Sequence, residues 1–463
     1  MRRSARNASF LFCGEIGARF LGFLVAAILA RRLGIAGFGQ IGFAMSIMAY
    51  GVIVSKFGFL TIGIRESARD RKAIPGLVNN IISLRMILSI IAVVGIFIFA
   101  LLVRKEASVK WLLAVFSLCV IAQSFLLEWV FTGIERMEYI AIARVLTNSA
   151  YFGLIIALVR SPKQIIMVPI ALIIATLLGA SVLLVPYVRR FGWLKPEFNR
   201  TAWKLLAGKA WPIGIASVLS QLYINFGIVG LALFTTDYET GIYTAAFRLV
   251  IFLLMLDRIF QAVFFPVVSR YFREHQDKLP ELIGTALRII LAGCLPVSTG
   301  VMLLGKPVVL LVFGHNYLSS VSVLQPLVWF LPLSLLSSLA GYSLLAAGRE
   351  RRFARNTAIG VAIALLLTVI GIGQWGALGA AVAMLIGEAC ILCLMGYDSL
   401  RMVKPKINWH FVIPLLACIP MSVVLVSLRD WNWVIAALVS GVTYIGLLFL
   451  GKGITSDDLG LVK

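Results

Sequence analysis

Apolar runs of roughly 20 residues follow one another along this chain, parted by short segments where Lys, Arg, Gly and Pro collect. As an α-helix, a run of about 20 residues covers the hydrocarbon core of a bilayer. Fourteen such helices are predicted, over residues 10–31, 38–60, 80–103, 110–130, 140–159, 165–187, 211–234, 240–265, 282–304, 322–346, 355–373, 376–396, 409–428 and 432–450. The stretch from Lys306 to Asn316 fits either a loop or a short re-entrant piece. The first run carries charge inside it. Glu15 and Arg19 are four residues apart and share one helix face. Gly22, Ala26 and Ala30 continue that face, while Phe12, Ile16, Phe20 and Phe23 turn away from it. Arg19 falls near mid-span, where a charge costs about 2.5–3.5 kcal/mol on insertion scales and is kept for a pathway or a partner. The competing reading is a self-contained Glu15–Arg19 pair that only fixes packing.

Composition supports the same class. The 463 residues are 61% hydrophobic and 13% charged, with a mean hydropathy of +0.99, which describes a polytopic membrane protein. A net charge of +22 would point a soluble protein towards nucleic acid, but here the cations sit in short loops between spans. With the N-terminus placed inside, inner segments hold 26 of the 42 Lys and Arg and outer segments 9. That bias predicts a multi-pass protein of the cell (inner or plasma) membrane with both termini cytoplasmic, and no nucleic-acid partner. The run at 10–31 is read as a retained span, because it is too long and too charged for a cleaved leader.

Little in the sequence suggests catalysis. The six cysteines all fall within apolar spans, and no disulfide is expected. His275, His315 and His410 lack metal-ligand spacing. Gly300 to Lys306 mimics a phosphate-binding loop, but Pro307 stands where Ser or Thr is needed and a span precedes it. No enzyme activity, metal, cofactor or ATP site is expected, which leaves an ion gradient or the membrane potential as the energy source.

A faint repeat divides the chain. Gly39 to Ala44 opens the second span and Gly241 to Ala246 the eighth, at an offset of 202 residues. The same offset sets Arg19 opposite Gln221 and Glu15 opposite Ser217. The expected domains are an N-terminal six-helix bundle (1–187), a cytoplasmic linker (188–210), a second six-helix bundle (211–396), and two further helices with a short tail (397–463). Six helices per half is even, so the halves would be parallel repeats.

Several spans carry polar stripes. Helix 7 has Gly214, Ser217, Gln221 and Asn225 on one face, and helix 2 has Gly39, Gly42, Ser46 and Tyr50. Small and hydroxyl residues at this spacing also serve plain helix contacts. Arg248 lies within helix 8. Arg85, Arg144 and Arg288 lie about a turn inside the cytoplasmic helix ends, where snorkelling accounts for them. Glu128 and Glu388 are placed near such ends as candidate partners. Buried cations outnumber buried acids, which suits an anionic substrate.

Four segments resemble a known family. Ala30-Arg-Arg-Leu-Gly-Ile-Ala-Gly-Phe-Gly39 resembles the signature that closes helix 1 of bacterial polysaccharide exporters. The stretch Glu128 to Arg144 resembles the segment after helix 4 of O-antigen repeat-unit flippases of the Wzx type, and Gly341 to Arg352 and Gly376 to Ala383 resemble its later helices. The resemblance implies an all-α fold with two six-helix bundles in a V around a central cavity, plus two C-terminal helices. It implies a polyprenyl-diphosphate-linked oligosaccharide as substrate, moved between leaflets by alternating access, with polysaccharide assembly proteins as candidate partners. Arg19 and Arg248 would then attract the diphosphate, and Ser217, Gln221, Asn225 and Tyr50 the sugar, with Glu15 and Glu388 as candidate coupling residues. A lipid II flippase and a cation/drug antiporter are the alternatives within the superfamily. A membrane polymerase or glycosyltransferase would need an acidic motif or a large outer loop, and every outer loop here is short.

Overall fold

The computed structural model describes residues 2–406, 409–451 and 453, with side chains from Gly14 onward apart from residue 262. Among them are helices and no strands. Among the described residues twelve helices are long and apolar enough to cross a membrane. The chain forms two compact units, residues 1–241 and 242–463.

In the first unit, α1 (Arg2–Lys56) is broken at Gly34, whose φ of 73° and ψ of 178° leave the helical region. At 1.5 Å per residue its 55 residues would extend about 80 Å, far beyond the roughly 30 Å hydrocarbon core. A residue without Cβ accepts the positive φ at the break. This is the glycine of the Leu33-Gly34 pair in the helix 1 signature. Arg32 next to it donates to the last carbonyls of α6 (Met137–Leu158), at 2.6 Å to Val159 O and 2.9 Å to Ile156 O. Beyond Lys56 the chain turns through Phe57 and Gly58 into α2 (Phe59–Arg69). The bundle continues through α3 (Ile74–Leu102), α4 (Ala107–Ser124), α5 (Glu128–Gly133), α6 and α7 (Met167–Phe191) to α8 (Arg200–Phe234), which Asn199 caps through its side chain.

The stretch between α7 and α8 is tied down. Glu197 accepts from Asn80 at 2.8 Å and Asn79 at 3.2 Å, and its amide donates to Ser83 Oγ on α3. The core here gathers around Trp129, with Phe59, Ile62, Val78, Ile81, Leu183 and Leu206.

At the other end of this unit, α9 (Asp237–Leu253) begins against α1. A Cβ on Gly39 would collide with Asp237 O, and one on Gly241 with Ile35 O. These two clashes are related by the offset of 202 that links Gly39 to Gly241 in the sequence. Ile35 corresponds to Asp237 under the same shift, so the contact is reciprocal. Asp237 also takes Lys105 Nζ at 2.6 Å and Gln40 Nε2 at 2.8 Å.

The second unit holds the rest of α9, then α10 (Met255–Glu274), α11 (Leu279–Leu303), α12 (Gly305–Val312), α13 (Ser320–Leu327), α14 (Phe330–Ala346), α15 (Glu350–Leu400), α16 (Ile413–Leu428) and α17 (Trp433–Leu450). The Lys306–Asn316 stretch is therefore a short helix followed by a 3-10 turn at His315–Tyr317. A helix was expected to end near 373 and another to start at 376, and α15 does break there, folding back at Gly376, φ 54° and ψ −128°. Its arms lie antiparallel. Asn356 meets Asp398, Gly360 meets Ile391, Ala364 meets Gly387, and the backbones of Gly371 and Gly379 touch. Helices α16 and α17 pack on α11, where Tyr444 donates to Ala292 O at 3.0 Å beside Met421 and Leu448.

Candidate functional site

A charged network occupies the first unit. Glu15 on α1 accepts from Arg19, at 2.8 Å from Nε and 2.7 Å from Nη2. Its second oxygen accepts from Arg144 Nη1 on α6. Arg144 then grips Glu128 on α5 with its other two nitrogens, Nε at 3.0 Å and Nη2 at 2.8 Å. All four side chains keep between 26% and 33% of their surface. The network is thus shared by three helices and open to small groups.

The break between α4 and α5 creates its neighbourhood. Helix α4 ends at Ser124 and the next begins at Glu128, leaving carbonyls without intrahelical partners. Arg85 on α3 takes them, donating to Gln123 O at 2.7 Å and Leu126 O at 3.4 Å, and is only 1% exposed. Snorkelling to the interface, expected for this residue, is corrected: carbonyls at the break hold two of its guanidinium nitrogens inside the bundle. Arg288 is also buried. Lys56, at the end of α1, lies within Coulombic reach of Arg85, Glu128 and Arg144. Nearby, Ser55, Ser89 and Ser124 form a closed hydroxyl triangle at 2.6–3.3 Å.

The remaining sequence-derived candidates are spread more widely. Tyr50 on α1 is half-buried, and its hydroxyl has no hydrogen-bond partner among the described residues. On α8, Ser217 Oγ donates to Ile213 O at 2.8 Å and Asn225 Nδ2 to Gln221 O at 3.1 Å, so each commits one donor to a carbonyl one turn back. Gln221 is half-buried beside them. In the second unit, Arg248 is half-buried on α9. Glu388 is 5% exposed and stands midway along the second arm of α15. Its expected place near a helix end is corrected, because the arm that begins at the Gly376 turn runs on to Leu400.

Sequence reasoning suggested Glu128 as an arginine's partner, and Arg144 proves to be that arginine. It left Asp257 on α10 out of the site, where the carboxylate is buried with Oδ2 accepting from Gln261 at 2.7 Å. It also missed Asp398, which gathers Asn356, Arg352 and Arg355 at the open end of the α15 hairpin. Among the described residues no group of three or more His, Cys, Asp or Glu is placed to hold a metal ion.

Long apolar helices with ionic groups held between them define a multi-pass, all-helical membrane protein. Residues 4–272 match the family described as polysaccharide biosynthesis protein, and the chain belongs to that family. A Shigella dysenteriae protein named "Putative O-antigen transporter" is 23% identical over 397 residues, covering 84% of this chain and 98% of that protein. A solved structure titled "Lipid II flippase MurJ, inward closed conformation" aligns with a TM-score of 0.75 at 16% identity, over 94% of this chain and 97% of that one. An inward-facing multidrug resistance MATE family transporter of the MOP superfamily aligns at 0.66 and 16% identity, over 83% and 95%. The likeness to both structures is one of fold.

Proposed function

We propose that this protein is a flippase that carries polyprenyl-diphosphate-linked oligosaccharide units from the cytoplasmic to the outer leaflet for polysaccharide assembly. The observation that carries the reading is the convergence of two guanidiniums, Arg19 and Arg144, on one carboxylate inside a helical bundle. An anion of matching shape has a ready partner there. The near full-length similarity to a protein named as an O-antigen transporter supports the substrate class.

The chemistry fits. The lipid tail can stay in the bilayer while the diphosphate and the sugar need polar cover. In the first unit Arg19 meets the diphosphate by charge-assisted hydrogen bonds, and Tyr50, Ser217, Gln221 and Asn225 meet sugar hydroxyls. In the second unit Arg248 is a further phosphate ligand, and Glu388, with Glu15 in the first, is a candidate for coupling to an ion gradient or the membrane potential. The breaks in α1 and α15 support reading each as two crossings, hence fourteen spans, and the loop charge bias supports both termini in the cytoplasm. The repeat reading divides them into bundles at 1–187 and 211–396, a linker at 188–210 and an added pair at 397–463.

The test is export itself. In a strain lacking its flippase, wild type restores surface polysaccharide, Arg248→Ala abolishes it, and Arg248→Lys keeps part, because Lys retains the charge but loses the planar fork. Full display from the Ala variant, at matched protein level, removes Arg248 from the site. Absence of display with wild type overturns the function.

A further inference from the structure

We infer that Arg144 is a second diphosphate-binding arginine and that Glu15 is an internal anion holding the place that the diphosphate takes. This rests on the flippase reading and assigns its substrate contact in the first unit.

Three observations carry it. First, the geometry around Glu15 is that of a bound anion. Arg19 addresses one carboxylate oxygen and Arg144 the other, each from a different helix. Two oxygens of a phosphate group present the same pair of acceptors, and arginine binds phosphate and carboxylate with the same planar fork. Second, Arg144 does not depend on Glu15 for its position. Its Nε and Nη2 are both fixed by Glu128, which leaves Nη1 directed at the anion. When Glu15 withdraws, Arg144 stays aimed. Third, the charges do not balance. Among the described side chains Glu15 and Glu128 face Arg19 and Arg144, while Lys56 and Arg85 add two further cations that reach Glu128. Among these six described groups the cations exceed the acids by two. A diphosphate esterified at both ends, by a lipid and a sugar, carries two negative charges at neutral pH.

Exchange lowers net affinity, because Glu15 competes, but it keeps the guanidiniums covered throughout. Placing an anion between two guanidiniums already held by a carboxylate swaps one charge-assisted contact for another, so no cation is left bare in a low-dielectric setting. The displaced Glu15 sits on the first arm of α1, the arm that ends at the Gly34 break. Ligand arrival is thereby felt by a helix with a hinge.

The experiment measures binding of farnesyl diphosphate to the full-length protein in lipid nanodiscs, for wild type, Glu15→Gln, Arg144→Gln and Arg144→Lys. Removing the internal competitor should tighten binding about tenfold in Glu15→Gln, the size of one charge-assisted contact. Arg144→Gln should weaken it by about tenfold or more, with Arg144→Lys between. Unchanged or weaker binding by Glu15→Gln, wild-type affinity in Arg144→Gln, or no binding by wild type overturns the inference. If Arg144→Gln does not elute as a single folded species, the Glu15→Gln shift decides, since that variant keeps the Arg144–Glu128 fork. Surface display by the wild type separates the two levels: display without the Glu15→Gln shift leaves the flippase reading standing and removes only the exchange site.

Discussion

Two arginine–carboxylate clusters in this protein look alike on paper and differ in what they can do. The first joins Glu15, Arg19, Arg144 and Glu128 across α1, α5 and α6. The second joins Asp398 to Asn356, Arg352 and Arg355 across the two arms of α15. In the first, acids and bases are all partly open and one arginine serves two carboxylates. In the second, the acid is 9% exposed and saturated by three residues, while its arginines are 41% and 61% exposed. A half-open network with shared donors can trade one anion for another. A buried acid with its full set of donors can only hold two helices together. The difference lies in which partner is buried, not in the residue types.

The largest effect should come from the hairpin that the second cluster closes. Gly371 and Gly379 touch through their backbones, and a Cβ on Gly379 would collide with Gly371 O. Gly379→Val should force the arms of α15 apart and prevent accumulation, with immunoblots of the membrane fraction as the readout. Normal levels would mean that the arms are held from elsewhere, and the staple role of Asp398 would fall with them.

Next in size is loss of function at the exchange network. If Glu15 and Arg19 were only a packing pair, removing both should restore what removing either one loses. If Arg19 binds the diphosphate, the Glu15→Gln/Arg19→Gln double variant should accumulate normally but flip lipid-linked oligosaccharide in vesicles about a hundredfold more slowly, the scale of a lost charged contact. Recovery of flipping in the double variant would make the first cluster as structural as the second.

These expectations rest on an uneven legibility. The apolar runs mark the long helices because a span must satisfy its backbone within itself, and that demand is written locally. Glu15 and Arg19 were visible for the same reason, being one turn apart. Arg144 and Glu128 were each visible and their pairing was one option, but not which arginine Glu128 would take, which needs α5 to start after a break inside an apolar run. The carbonyls freed by that break also explain Arg85, whose partners no side-chain pattern announces. Asp398 gave no signal, since its partners come from the far arm of a hairpin whose turn depends on one glycine's φ. Residues that interact within a turn can be read from sequence, and residues that meet through a chain reversal cannot.

A smaller effect is expected from removing the buried acid alone. Asp398→Ala leaves Asn356 with its bond to Leu394 O but without the carboxylate. The cost should be about 2 kcal/mol, that of an unsatisfied buried polar group. Thermal unfolding in detergent would show it, while flipping per folded molecule should stay at the wild-type rate. A loss of flipping with unchanged unfolding temperature would turn this cluster from a staple into a working site.

The smallest effect sharpens the comparison most. Arg352→Gln removes a contact of 3.4 Å between an arginine that keeps 41% of its surface and a carboxylate that retains Asn356 at 2.8 Å and Arg355 at 3.1 Å. Exposed ion pairs of this kind contribute about 0–1 kcal/mol, because water solvates the guanidinium nearly as well and salt screens the rest. The variant should therefore unfold within a degree or two of wild type, about what a fraction of a kcal/mol moves a protein this large. It should also export polysaccharide normally. Arg144→Gln makes the same chemical change at the other cluster and should weaken diphosphate binding about tenfold or more, because two carboxylates there share Arg144. A marked loss of export from Arg352→Gln would show that partial burial does not separate a working arginine from a stapling one, and the contrast drawn between the clusters would have to be abandoned.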